Sequence, residues 1–429
     1  MAGSVNRTGG YFACLFNDED DEDQESDSVS VSGLGEEPVS PQHSGSIEPI
    51  STQTSRLLLQ DHRMDAASDY SATVSTVTAA TKASQRPLFR RTFQEPETIV
   101  YEAAWEKMVS AHRSGIWRIV QLSGTELVTC SYDKTAKVWD MMRGVSRKTI
   151  QHKGEVLCAA VSANSFVTGC AKGDICFWDS KTFELKQELK DPNQQGVYSA
   201  EFLLGERLAT GATQRPKDLP YARKWDHTIK IWSLPKKEVI GRCKGHEGGV
   251  SKLICLPDNR LISSSEDGTV RVWHTLQHQQ IGAPGEQHKG KIYSMCLMGN
   301  SVITGGQDQV LRIWDVESLS VSGCYADNST RSKKAHDGTI FDVCKVSKNV
   351  FASASRDGSI KLWDLRKPGP ILNLNPDDGF VYSVCALSDQ CLVAGTGGRE
   401  FISKRREPNL VSWVFAKEGS DNPKKNAAE

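Results

Sequence analysis

The stretch SASRDGSIKLWDLR, residues 353 to 366, sets two serines, an aspartate, a tryptophan and a second aspartate close together, with His336 upstream. Serine, histidine and aspartate are the types that nucleophilic and acid–base chemistry uses. A catalytic set would stand alone, whereas this one recurs. An aspartate precedes a tryptophan by six residues at Asp133 and Trp139, Asp226 and Trp232, Asp267 and Trp273, Asp308 and Trp314, and Asp357 and Trp363. About twenty residues before most of these aspartates comes a histidine with a glycine-containing turn: His112, His246, His288 and His336.

Two weaker copies fill the gaps. One has His152 and Trp178 but Lys172 at the aspartate position, and the other ends at Trp413 with Glu407 there. Seven units thus run from about residue 100 to 416, their tryptophans 39 to 54 residues apart. Self-similarity near 40 to 45 residues marks a propeller or a solenoid. Inside each unit, runs such as GEVLCAAVS, NSFVTGC and DICFWD are short, apolar or alternating, and bounded by Gly, Asn, Asp and Ser, which reads as strand. Asp267-Gly268 and Asp357-Gly358 supply the positive φ of a tight hairpin. Helix signals are absent. Four strands in each of seven units close an all-β ring, which protects sheet edges.

The run of His, Gly, apolar strand, Ser-x-Ser-x-Asp-Gly and Trp-Asp resembles the WD40-repeat family, over about three quarters of the chain. The resemblance implies a seven-bladed β-propeller in which His, Asp, a Ser or Thr, and Trp bond to one another inside each blade. In blade six these would be His336, Asp357, Trp363 and either Ser353 or Ser355. The polar groups of the opening stretch therefore read as frame. Blade two lacks the aspartate, blade three the histidine and blade seven both.

Of 429 residues, about 315 form the ring. No apolar run approaches the ~18 residues of a membrane span. The N-terminus lacks the apolar core and cleavage site of a secretory signal, and Ala2 excludes myristoylation. Cys158, Cys255, Cys296, Cys344 and Cys385 read as one repeat position in the first strand, packed as small apolar residues, and no Cys-x-x-Cys occurs. No metal or cofactor is expected. Reduced thiols point to the cytoplasm, with the nucleus also open.

Residues 1–97 are Ser/Thr-rich and acidic, with NDEDDEDQESDS from Asn17 to Ser28, and too poor in apolar groups to order themselves. They read as a disordered tail. The ring spans 98–416, of which 98–110, by family analogy, is the outer strand that latches the last blade to the first. Residues 417–429 read as a flexible tail.

Charge divides the chain. Residues 1–100 hold 16 acidic against 7 basic residues, and 101–429 hold 37 against 45. Much of the basic excess falls in three insertions: Arg215, Lys217, Arg223 and Lys224; Arg331, Lys333 and Lys334; and Arg399, Lys404, Arg405 and Arg406. In the WD40 arrangement these loops open on one face, the top. Aromatic residues follow the first small apolar residue of the inner strand in five blades, at Trp117, Tyr198, Tyr293, Phe341 and Tyr382. In similar WD40 proteins this position lines the mouth of the central channel. The acidic tail, which reaches roughly 50 Å by the square-root rule, can screen that face from acidic partners.

No nucleophile motif is present, and GTGGRE at 395–400 does not lead into a helix. The expected function is a non-catalytic scaffold, a monomeric ring within larger complexes, that binds other proteins or acidic or phosphorylated peptides on its top face. A second reading rests on Trp363-Asp364-Leu365-Arg366, in which Asp364 and Arg366 fit the signature by which WD40 substrate receptors dock to a cullin-type ubiquitin ligase adaptor. Nucleic-acid binding through the basic loops is the weakest reading.

Overall fold

The computed structural model describes residues 99–192, 195–212, 227–284, 287–327, 329, 334–376, 379–397 and 409–417, with backbone alone for 99–108, 416 and 417. Every helix or strand among them is a strand. The strands form seven antiparallel four-stranded sheets. Six sheets are four consecutive strands. The seventh joins Ile99–Ser110 to the last three strands through Asn409–Lys417, with Ser110 opposite Asn409 and Ile99 opposite Lys417. The segment ahead of blade one therefore completes blade seven, the latch expected of 98–110. The tails 1–97 and 418–429 lie outside the described residues.

Burial grades outward along each blade. The inner strand Val156–Ser162 is buried over its first five residues, whereas the outer strand Val145–Gln151 is exposed at six of seven. Seven apolar clusters fill the seven gaps between neighbouring blades. Trp363 packs with Ile303 and Tyr325 of blade five, and Trp139 of blade one packs with Val393 and Leu410 of blade seven. Each tryptophan so faces the preceding blade, and the apolar core is distributed around the ring.

The frame reading is visible bond by bond. In six blades the indole N–H donates to a hydroxyl on the second strand at 2.7 to 2.9 Å: Trp139 to Thr129, Trp178 to Thr168, Trp232 to Thr210, Trp273 to Ser263, Trp314 to Thr304 and Trp363 to Ser353. In blade six Ser353 holds the position, while Ser355 bonds Gly338 and the Asp357 amide. His Nε2 lies 2.7 Å from the same hydroxyl at His112, His246, His288 and His336. Their Nδ1 atoms meet Asp133, Asp267, Asp308 and Asp357 at 2.7 to 2.9 Å. A neutral imidazole satisfies the chain: Nδ1–H donates to the carboxylate and Nε2 accepts from the hydroxyl. Burial lowers the affinity of His112, His246 and His336 for a second proton.

Three blades depart from this network. Blade three buries the ion pair Lys230–Asp191, 2.7 Å apart, and blade six has the same pair, Lys361–Asp327 at 2.6 Å, beside its intact His336 network. In blade two Asp174, two residues past Lys172, stands where blade four has Thr269, and among the described residues the His152 ring is bonded only to Thr168, at 3.1 Å. Blade seven has Ala394 where the others have the hydroxyl. Asp226 and Glu407 lie outside the described residues. Gly268 and Gly358 take φ of +79° and +86° as expected, and Lys134 and Gln309 take +67° and +66° at the same turn position.

One repeat assignment is corrected. The five cysteines all lie on first strands, but Cys158 stands two residues past Val156, Cys296 four past Ile292 and Cys255 five past Val250. Only Cys296, Cys344 and Cys385 share a position; Cys158 and Cys255 stand six and nine residues after their histidines, whereas Cys296 and Cys344 stand eight after theirs.

Candidate partner-binding face

Each inner strand breaks its pairing at the same place. The register shifts between Ile116 and Arg118, Val156 and Cys158, Val197 and Ser199, Val250 and Lys252, Ile292 and Ser294, Ile340 and Asp342, and Val381 and Ser383. The skipped residues are Trp117, Leu157, Tyr198, Ser251, Tyr293, Phe341 and Tyr382. Each is the extra residue of a β-bulge, which re-aims its side chain.

The five rings converge. Trp117 lies 5.8 Å from Tyr198 in blade three, 6.2 Å from Phe341 in blade six and 6.0 Å from Tyr382 in blade seven. Phe341 also meets Tyr293 at 5.8 Å and Tyr382 at 5.0 Å. Contacts across non-neighbouring blades put these rings at the ring axis. Each is 3 to 5% exposed, so they form a packed plug with little of its surface in water. The Trp117 Nε1 and the Tyr198 hydroxyl have no hydrogen bond among the described residues.

Around the plug stand the histidine-bearing turns, with Arg113, Lys153, Glu247, Lys289 and Asp337 exposed. Glu266 is buried beside them, 3.8 Å from Lys291, and burial pushes its carboxyl up. Val197 pairs with Ala212 and Phe380 with Gly397, so first strands begin and second strands end on this face. Of the basic insertions, Lys334 is described and half-buried. Arg215, Lys217, Arg223, Lys224, Arg331, Lys333, Arg399, Lys404, Arg405 and Arg406 lie outside the described residues.

Sequence reasoning missed the column that follows the bulge: Arg118, Cys158, Ser199, Lys252, Ser294, Asp342 and Ser383. Three of its members are charged in a position otherwise small. Arg118 donates to Asp342 at 2.9 Å, and Asp342 also accepts from the Ser294 hydroxyl and the Val343 and Val384 amides. The signal was an aligned column rather than a motif: Arg118, Cys158, Lys252, Ser294 and Asp342 each stand six residues after the histidine of their blade. Among the described residues no cluster of His, Cys, Asp and Glu could hold a metal ion, and no helix is long and apolar enough to cross a membrane.

On the opposite face, Arg366 donates from Nε and Nη2 to both oxygens of Asp364, at 2.9 and 2.7 Å. The family profile for the WD domain, G-beta repeat, matches residues 105–140, 237–274, 284–315 and 327–364. The chain carries WD40 repeats. A solved WD40 structure, that of the RRP9 repeats, superposes with a TM-score of 0.63 at 19% identity, covering 74% of this chain and all of that one. That likeness concerns the fold alone. Cilia- and flagella-associated protein 52 of Bos taurus is 25% identical over 168 residues, 38% of this chain and 25% of that protein. Apoptotic protease-activating factor 1 of Rattus norvegicus is 26% identical over 169 residues, 37% of this chain and 13% of that protein. The chain thus matches a quarter or less of the length of these relatives. WD40 propellers generally serve as protein-interaction scaffolds.

Proposed function

We propose that the protein is a non-catalytic scaffold that receives segments of partner proteins on the face bearing the histidine turns. The observation that carries this reading is the repeated bulge, which gathers Trp117, Tyr198, Tyr293, Phe341 and Tyr382 at one end of the axis. A pre-packed aromatic hub costs a partner little ordering, and aromatic residues are enriched where binding energy concentrates. The basic insertions around Arg215, Arg331 and Arg405 support an acidic or phosphorylated partner segment. The test reverses charge at Arg113, Lys153 and Lys289, each to Glu, and in a separate variant at Arg143 and Lys367 on the opposite face. Partners captured by the full chain are lost with the first variant and kept with the second; the opposite pattern overturns the reading.

A second reading is docking of a cullin-ligase adaptor at Trp363-Asp364-Leu365-Arg366. It is favoured by the Asp364 fork, which orients a guanidinium whose side chain is 67% exposed. Arg366→Ala leaves the fold intact and abolishes adaptor capture; equal capture by variant and parent removes this reading.

A further inference from the structure

Past the plug, along the same inner strands, lies a cavity of about 230 Å³. Its wall includes Arg118, Cys158, Ser199 and Lys252, with Glu201 two residues further on. Small residues make the space: Ala159, Ala160 and Ala200 line it where larger side chains would fill it. The half-buried Gln121, Val161 and Glu201 stand nearest the ends of the first strands. Entry is therefore from the face opposite the proposed partner-binding face, and the site is independent of that reading.

The charges in this wall do not balance. Asp342 gives Oδ1 to Arg118, the Ser294 hydroxyl and the Val343 amide, and Oδ2 to the Val384 amide. No hydrogen bond or ion pair joins it to Lys252 among the described residues. Among the described residues Lys252 has no hydrogen bond or ion pair, although it stands close to Arg118, Asp342 and Glu201. Arg118 engages Asp342 through Nη1 and, among the described residues, has no partner at Nε or Nη2. Glu201 accepts only the Cys255 amide, at 3.4 Å, and burial pushes its carboxyl up to about 7. Burial also lowers the affinity of Lys252 for its proton, and an anion beside it would restore that proton; what the geometry supplies is two donor groups, Lys252 and the open edge of Arg118, lining one space.

We propose that this cavity binds a small oxyanion, a phosphate or a carboxylate, between the Lys252 ammonium and the open edge of the Arg118 guanidinium. Both groups are donors only, and the two present N–H bonds toward one space, as recognition of an oxyanion requires.

The experiment compares melting of the full chain in sodium phosphate, sodium acetate and sodium chloride at equal ionic strength and pH 7. Phosphate or acetate raises the melting temperature above chloride by ~2 to 4 °C at saturating concentration. Which of the two acts distinguishes the phosphate from the carboxylate. Lys252→Met removes the increment, while a variant with Lys404, Arg405 and Arg406 each changed to Ala keeps it. A second measurement does not depend on how the variant folds. The effective anion slows reductive methylation of Lys252, read by peptide mass, about tenfold at ten times its dissociation constant. Equal melting in all three salts, an increment that survives Lys252→Met, or no protection of Lys252 overturns the proposal.

Discussion

Arg118 of blade one and Asp342 of blade six, 224 residues apart in the chain, meet at 2.9 Å inside the channel, with side chains 5 and 4% exposed. The pair braces the ring across its opening. Removing one partner of a buried pair leaves an uncompensated charge, so Asp342→Ala should cost about 3 to 5 kcal/mol. The double change Arg118→Met with Asp342→Leu should cost clearly less than that single change. Urea midpoints of the three proteins check this, and a double variant at least as unstable as Asp342→Ala alone contradicts it.

Trp314 and Thr304 test the frame within one blade. Trp314→Ala empties a fully buried indole site and should destabilise by about 3 to 5 kcal/mol. Thr304→Ala removes little volume but strips a partner from both Trp314 and His288, which should cost about 1 to 3 kcal/mol. Guanidinium unfolding measures both. If either variant melts with the parent, that network does not hold the blade.

Blade two offers the converse. Lys172→Asp together with Asp174→Thr recreates the arrangement of Asp133 and Thr135, whose carboxylate takes bonds from His112 and the Thr135 hydroxyl. With His152 Nδ1 given an acceptor, the double variant should gain about 1 kcal/mol. Hydrogen exchange at Val156–Cys170 should slow with it. Faster exchange there would mean that Asp174 already serves His152.

The repeat made the ring legible in the sequence, because His, Asp and Trp keep fixed relations to strands and turns in blade after blade. The latch at 99–110 was legible only through the family resemblance, since nothing in IVYEAAWEKMVS names its partner strand. The bulge was not legible. It is a property of pairing between two strands, and a residue skipped by the ladder looks like any other in a string. Its consequence was therefore hidden too: the convergence of rings from blades one, three, five, six and seven. The charged column of Arg118, Lys252 and Asp342, each six residues after its blade's histidine, could have been aligned from the repeat. Lys230–Asp191 and its echo in blade six, Lys361–Asp327, escaped notice because the lysine keeps a fixed place two residues before the tryptophan while its aspartate does not.

Acid should weaken the ring between pH 7 and 4. Burial holds His112, His246 and His336 neutral and brings His152 down to about 4. The unfolded chain protonates these side chains near pH 6.5, so it binds more protons than the folded state across this window, and stability falls as pH falls. His152 alone accounts for about 3 kcal/mol by pH 4. Glu201 acts in the opposite sense: with its carboxyl pushed up to about 7, the folded state takes that proton first and gains stability as pH falls from 7 to 4.5. Glu201→Gln should therefore steepen the loss. Melting curves from pH 7.5 to 4.5 decide it, and a variant with a shallower profile than the parent contradicts the assignment.

The acidic N-terminal segment supplies a last expectation. If it competes for the partner-binding face, deleting residues 1–97 tightens binding of an acidic peptide at low salt, and the gain disappears once salt brings the Debye length below ~8 Å. Equal affinities at low salt remove the competition.

The strand Ile99–Ser110 leaves the ribosome early, and its partner Asn409–Lys417 is made some three hundred residues later. Until then blade seven lacks its third strand, on which Ile99–Ser110 pairs as the fourth, and two flanks of the nascent ring stay open to other chains. Folding of this protein is therefore gated by translation: closure waits for the final strand, and a ribosome stalled before residue 409 holds a ring that cannot shut.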